Sequence, residues 1–387
     1  MTEPADTKPR FLQLHWLASY PGTLLNRDDA GLAKRLPFGG TVRGRISSQS
    51  LKRHWRTAGR DDVASAAENP WALQNLGVPM GVRTKKLVEE RLVPALPKEV
   101  REDEEKLAAV TDILFRLIYG KNAKDPQSRQ ALFFGEEEVS YLTKLAGRLA
   151  SMDEEGRKDE EKAYKKNTET LREQAGIGAG GLESALFGRM VTSDPAANRD
   201  AAVHVAHAQT VQPLEQRLDF LTAVDDLAGD EETGAAGVFD TELTSGVYYG
   251  YLVVDLALLT ANLNGDAGIA ARVTEHLVHL VAEVSPGAKK GSTAPYAFAE
   301  LMLAEVGARQ PRTLANAFRR AVPLRGDVFA EATGQLGEHL DKLDQAFGGG
   351  EARAQVAVDL PLEGAERLSL DHLAAWCAEQ VRGAVAP

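Results

Sequence analysis

Leu12, Leu14 and Trp16 alternate with other positions in "RFLQLHWLASY", a period of two that predicts a first strand with one apolar face. Residues 24–40, "LLNRDDAGLAKRLPFGG", break the pattern with turn residues and the Gly39-Gly40 pair, so a loop is expected. In "TVRGRI", Arg43 and Arg45 fall on one face of a short extended segment. The period then lengthens. Leu51, Trp55 and Ala58 form a helical stripe, Ser47 or Ser48 supplies the N-cap, and Lys52, Arg53 and Arg56 point away from the stripe.

From about residue 63 to 175 the texture is helical and highly charged, with Leu107, Val110, Leu114 and Leu117 at helical spacing. "DEEGRKDEEKAYKKNTETLREQ" is polar on nearly every face, as an exposed helix or mobile segment would be. This block reads as a helical insertion. The run "GIGAGG" is expected to be a hinge before a short helix, "LESALFGRM". Residues 191–219 look extended, and Val203, Val205 and Thr210 fit a hairpin arm. Residues 247–254, inside "SGVYYGYLVVDL", are dense in aromatic and β-branched side chains and form the clearest strand. Ile269, Val273, Leu277, Leu280 and Val284 then make an amphipathic helix. "APYAFAELMLAEV" suits another strand, and two or three helices close the chain. Strand, helix, long insertion, strand, helix, strand is an α+β core of split β-α-β type. A chain of 387 residues is long for one compact core, so two domains or one core with a large insertion is expected.

Composition sharpens this picture at one place. The chain is acidic, with a formal net charge of −11, yet residues 34–60 hold eight Lys or Arg and no carboxylate. General nucleic-acid stickiness is not expected of so acidic a protein; any anion site must be local. On a helix Lys52 and Arg56 lie four apart and repel, at a few tenths of a kcal/mol. One reading is a solvated basic face balanced by the acidic insertion. The other is a polyanion site, with hydroxyls from Ser47, Ser48 and Ser50 and the first-turn amides of the helix added to the cations. Donors spread along one surface suit successive phosphates of a nucleic-acid backbone better than one small phosphate. The single cysteine, Cys377, excludes an intramolecular disulfide framework and reads as a buried, inert thiol. No apolar run is long enough for a membrane span, the N-terminus lacks a signal-peptide core, and a cytoplasmic protein is expected.

Other patterns carry less. Gly176, Gly178 and Gly181 satisfy G-x-G-x-x-G, with Asp200 further on, but "KKNTETLREQA" before them is charged and helical where a dinucleotide fingerprint demands a hydrophobic strand. His204 with His207, and His276 with His279, are spaced as pairs of imidazoles, but no carboxylate stands at a ligand position beside either pair and no third His or Cys is near. Neither metal nor cofactor is expected. Asp225 and Asp226 in "TAVDDL" are adjacent acids without an evident nucleophile, and suit turn or cap roles.

Four blocks in order, "LNRDD" with "FGG…RISSQSLKR", then "ALFGRM", then "DFLTAVDDL…SGVYYGY", then "VSPGAKK", resemble the CasC family, the backbone subunit of the type I-E CRISPR surveillance complex Cascade. The resemblance implies a right-hand-like, non-catalytic subunit. Its palm, residues 1–62 and 223–387, would be RNA-recognition-like (ferredoxin-like). Residues 63–181 would form helical fingers, and residues 182–222 a β-hairpin thumb. On this resemblance copies of the chain would polymerise along CRISPR RNA, each thumb would kink the RNA of its neighbour, and exposed guide segments would pair with target DNA. The implied partners are therefore CRISPR RNA, the target DNA strand, further copies of the chain and other Cascade subunits, with no membrane. The implied RNA-binding set is Arg27, Arg43, Arg45, Ser47, Ser48, Gln49, Lys52, Arg53, Arg56, Lys289 and Lys290. Met190, Phe220 and Leu221 would wedge at the kink; relatives often carry two aromatics where Phe220 and Leu221 stand. The residues alone leave two alternatives open: a nuclease-like, phosphate-handling enzyme that uses the basic segment as a substrate clamp, and a general single-strand binder.

Overall fold

A computed structural model describes residues 8–59, 69–120, 123, 125–223 and 237–385, with the side chains of 220–223, 237–239 and 385 excepted. The chain divides into two compact units, one of residues 1–73, 204–256 and 271–387, the other of residues 74–203 and 257–270. The strands in chain order are β1 (Phe11–Thr23), β2 (Arg35–Phe38), β3 (Thr41–Ile46), β4 (Gly81–Thr84), β5 (Leu132–Gly135) and β6 (Val203–Val205). They continue with β7 (Ala208–Thr210), β8 (Glu215–Ala223), β9 (Gly237–Asp255), β10 (Leu301–Gly307), β11 (Ala352–Ala357) and β12 (Glu366–Arg367).

The first unit is built on a mixed sheet of order β12-β11-β10-β1-β9-β7-β3-β2, with β6 and β8 also paired to β9. Along the chain β1, the helix Ser48–Thr57, β7, β9, the helix Ala267–Glu283 and β10 follow one another, and their strands lie in the order β10-β1-β9-β7. That is the 4-1-3-2 arrangement of a split β-α-β core, so the chain is α+β. β11 and β12 run parallel. The alternation in β1 predicts one buried face, whereas Leu12 through Leu17 are all buried, so both faces of the strand are covered. Trp16 meets Trp55 of the helix Ser48–Thr57 edge to face, with ring centroids 6.1 Å apart. Gly250 is needed beneath that indole: a Cβ there would lie 2.0 Å from Trp16 Cζ2. On the other face Leu17, Tyr249, Leu301 and Leu303 pack with Phe318, Leu336 and Leu340 of the C-terminal part.

Four expectations are corrected here. The turn-rich segment 24–40 contains the edge strand β2, which pairs with β3 through the positive-φ pair Gly39-Gly40. β6 and β7 do not form a hairpin with each other; each pairs with β9. The long hairpin is β8–β9, in register from Glu215↔Ser245 to Ala223↔Gly237. β1 pairs with β9 only as far as Thr23↔Thr244, so the outer part of β8–β9 is a two-stranded arm. Finally, β11 and β12 intervene between the two closing helices, Val328–Phe347 and Leu370–Val385.

The second unit packs the helices Glu104–Tyr119, Glu136–Ser151 and Glu154–Ala175 around Leu114, Phe134, Leu145, Leu149 and Tyr164. In the polar helix Glu154–Ala175 only Tyr164 and Thr168 are buried, which explains its lack of an apolar stripe. The "GIGAGG" glycines form a close-packed junction instead of an open hinge. Gly181 adopts φ 74°, and a Cβ on it would lie 2.3 Å from the Gly81 amide nitrogen. Both the turn and the approach exclude a side chain there.

Candidate nucleic-acid interface

The interface begins with a cap. Ser47, in extended conformation, accepts a hydrogen bond from Ser50 N at 3.2 Å and starts the helix Ser48–Thr57. Its own amide donates to Asn26 Oδ1 at 2.9 Å, which ties "LNRDD" to the start of "SSQSLKR". Asp28 shapes that loop by accepting from the amides of Ala30 and Leu32. Lys34 N bonds Asn26 O and Arg45 N bonds Lys34 O, both at 2.8 Å, so Arg27, Lys34 and Arg45 stand on neighbouring strands of backbone. Arg27 is exposed, and Arg45 Nε has no hydrogen-bond partner among the described residues.

The helix carries its apolar stripe inward, with Leu51, Trp55 and Ala58 buried, while Arg53 is exposed and Lys52 and Arg56 are half-buried. His54 bridges to a third segment. Its Nδ1 donates to Ser50 O at 2.7 Å, and its Nε2 accepts from Gly287 N at 3.3 Å, a pairing that assigns the neutral Nδ1–H tautomer. Gly287 belongs to "VSPGAKK". Ala288 N in the same loop bonds Leu24 O, and Lys289 Nζ donates to Thr241 Oγ1 at 2.6 Å. Three segments far apart in sequence, 24–27, 45–56 and 287–290, are thus bonded into one surface.

Two parts of the sequence reading change. Arg43 is fully buried: its guanidinium donates to the carbonyls of Thr210, Val211 and Phe318 and to Thr41 Oγ1. It braces the sheet and is withdrawn from the RNA-facing set. The first-turn amides are also mostly spent. Ser48 N donates to His207 Nδ1 at 2.9 Å, Ser50 N to Ser47 Oγ and Leu51 N to Ser47 O. An anion here meets side chains more than a bare helix terminus. His207 is held below the ordinary histidine range, first by burial and then by the cations of Arg45 and Lys34.

Arg35 is likewise committed to the fold. It forms an ion pair with the buried Glu242 of β9 at 2.8 Å, and the Ala33 amide donates to the same carboxylate at 2.6 Å. Sequence reasoning missed Asn26, His54, His207 and Glu242. Asn26 alone had a local signal, its place beside Arg27 in "LNRDD".

Met190 is 64% exposed, on a turn in which Arg189 and Arg199 form a bridge and Val191 N donates to Asn198 Oδ1. Phe220 and Leu221 lie on β8, in register with Asp240 and Phe239, and their side chains are outside the described residues. Asp225 and Asp226 also fall outside them. His276 and His279 turn to Trp71: His276 Nδ1 meets Trp71 O at 3.0 Å, and the His279 ring stacks on the indole at 3.6 Å. Among the described residues no group of three or more His, Cys, Asp or Glu converges as a metal site requires, and no helix is long and apolar enough to cross a membrane. Cys377 is buried, which pushes its thiol pKa upward.

A chain of the solved structure "CRISPR RNA-guided surveillance complex, pre-nicking" is similar with a TM-score of 0.71 and 24% identity, over 97% of this chain and 100% of that one. A chain of a second, "CRISPR RNA-guided surveillance complex", is similar with a TM-score of 0.57 and 20% identity, over 95% and 99%. These agree in fold with the resemblance carried by the four sequence blocks. No curated protein matches the sequence. The family model described as CT1975-like protein matches residues 12–378, nearly the whole chain, and the protein therefore belongs to the CT1975-like family.

Proposed function

We propose that this chain is a backbone subunit of a type I-E CRISPR surveillance complex that grips the phosphate backbone of CRISPR RNA and presents guide segments to target DNA. The observation that carries this reading is the bonding of 24–27, 45–56 and 287–290 into one surface bearing Arg27, Arg45, Lys52, Arg53, Arg56, Lys289 and Lys290. The sequence contributes no carboxylate to it between residues 34 and 60. Fixed cations and hydroxyls along a surface hold a strand without reading its bases, and guide pairing then carries the sequence information. In this reading the sheet unit is the palm, the helical unit the fingers, and the β8–β9 arm, with Phe220 and Leu221 on it, serves with Met190 at the RNA kink. Self-polymerisation and a structural, non-catalytic role belong to the same proposal.

The test is to purify the tagged protein from its native cell and sequence the RNA that comes with it. Spacers flanked by repeat fragments, in assemblies whose length follows the RNA, support the backbone subunit. Open-ended coating of any strand would make it a general single-strand binder. Strand cleavage by the purified chain, lost in Asp225→Ala, would make it an enzyme.

A further inference from the structure

Next to the lysines of "VSPGAKK" stand two large aromatics that the fold leaves uncovered. Tyr296 is 56% and Phe298 66% exposed, while Pro295 and Ala299 on either side of them are buried. This alternation of covered and uncovered positions puts the two rings on the same open side, with at most about 7 Å of backbone between them. That spacing is about twice the 3.4 Å step between stacked bases, so one base fits between the rings or each ring takes its own.

The segment is held stiffly. Ser285 Oγ donates to Ala297 O at 2.7 Å and accepts from Ala297 N at 2.9 Å, pinning the residue between the two rings. Ala299 N bonds Ala282 O, and Glu300 N bonds Leu17 O. A fixed pair of exposed rings loses little freedom on stacking. The charge nearby favours a polyanion: residues 284–299 contain Lys289 and Lys290 and no carboxylate. Lys289 is bonded to the neutral hydroxyl of Thr241, so its charge is not cancelled there.

We propose that Tyr296 and Phe298 form a base-stacking platform for single-stranded nucleic acid, continuous with the basic surface through Lys289. This rests on the nucleic-acid reading above and adds a contact to bases where that reading has contacts to phosphates. Stacking on an aromatic is sequence-tolerant because every base offers a π-face.

The experiment uses the full chain with two fluorescent oligonucleotides of equal length, one oligouridine and one abasic, so that both carry the same phosphates. Tyr296→Ala with Phe298→Ala should weaken oligouridine binding roughly 10- to 100-fold and leave the abasic strand unchanged. Tyr296→Phe and Phe298→Tyr should retain binding. Equal losses on both strands, or no loss on either, overturn the platform while the phosphate grip stands. So does a variant that binds oligouridine normally but no longer self-associates, which would make the patch a contact between protein copies. Failure of the unaltered chain to bind either strand overturns the proposed function itself. A thermal melt of the variant without nucleic acid guards the assignment: a large drop makes the two rings structural and sinks the proposal.

Discussion

Two arginine-rich regions of the sheet unit solve opposite problems. At the β10–β11 side, Glu305 is fully buried between Arg312 and Arg353, and Asp344 and Glu351 complete a cluster in which Arg309, Arg312 and Arg353 each meet a carboxylate. Around the helix Ser48–Thr57 the cations Arg27, Arg45 and Lys289 have no carboxylate partner among the described residues, and the basic segment itself supplies none. Guanidinium groups inside a fold are satisfied by acids or carbonyls, because a buried unpaired charge costs several kcal/mol. Cations kept at a surface without acids retain their charge for something outside the fold. Arg43 and Arg35 show that membership of the basic segment does not decide which kind a residue is; the partner does.

The sharpest way to break this contrast is to compare Arg43 with Arg45. Arg43→Ala leaves three buried carbonyls without their donor and should cost about 3–5 kcal/mol in a denaturant melt. Arg45→Ala, two residues on along the same strand, should stay within about 0.5 kcal/mol. Equal effects would mean that the two arginines play the same role.

Acid should separate the regions next. Burial alone would push the Glu305 carboxyl up, but His15 Nε2 at 3.2 Å and the guanidinium groups of Arg312 and Arg353 bring it down to about 2. A depressed carboxylate stabilises the fold above its unfolded value of 4.5, and that contribution is lost as pH falls toward 2. About 3 kcal/mol should disappear across that window. Glu305→Gln should be less stable than the natural chain at neutral pH and converge with it near the acid end. Parallel curves would place the titration elsewhere.

Salt should act on the other region. Lys52→Ala with Arg56→Ala should weaken RNA binding alike across unrelated sequences, reducing the salt slope by about 0.7 for each lost phosphate contact, with stability changed by less than about 1 kcal/mol. An effect confined to one sequence would contradict a backbone grip.

The arm should matter little to stability. Replacing residues 220–240 by a short Gly-Ser turn keeps the Asp219↔Thr241 pair and the Glu242 anchor. It should leave the melt within about 1 kcal/mol, because an isolated two-stranded ribbon contributes little to a core, while long ordered assemblies on RNA are lost. Phe220→Ala is the milder form of the same test and should weaken assembly without lowering the melting midpoint. Unfolding in either variant would assign the arm to the core.

What was legible in the sequence follows the strength of local periodicity. β1, the helix Ser48–Thr57 and the helix Ala267–Glu283 carry clear periods of two or near four, whereas β9 is legible only over 247–254, through its density of aromatic and β-branched residues. β2 was hidden because an edge strand of four residues containing Pro37 reads as a turn. The pairing of β6 and β7 with β9 depends on residues about forty apart, which no local pattern reports. In the site, the alternation that set Arg43 and Arg45 on one face was sound, but alternation cannot say where along that face the cover ends. Residues 210–211 and 318 cover Arg43 and stop short of Arg45. His207 was unreadable as a site residue because its partner, Ser48, lies 159 positions away.

β9 belongs at once to the core and to the arm: its 19 residues run from Gly237 to Asp255, pairing with β8 at one end and β1 at the other. That makes the arm a ruler with a locked orientation. Two residues added to each of its strands would lengthen its reach by about 6.8 Å and return every side chain to its original face. One residue added to β9 alone between the arm and Val247 would turn the arm's faces over relative to the sheet. Changes in arm length are therefore cheap in even steps and disruptive in odd ones.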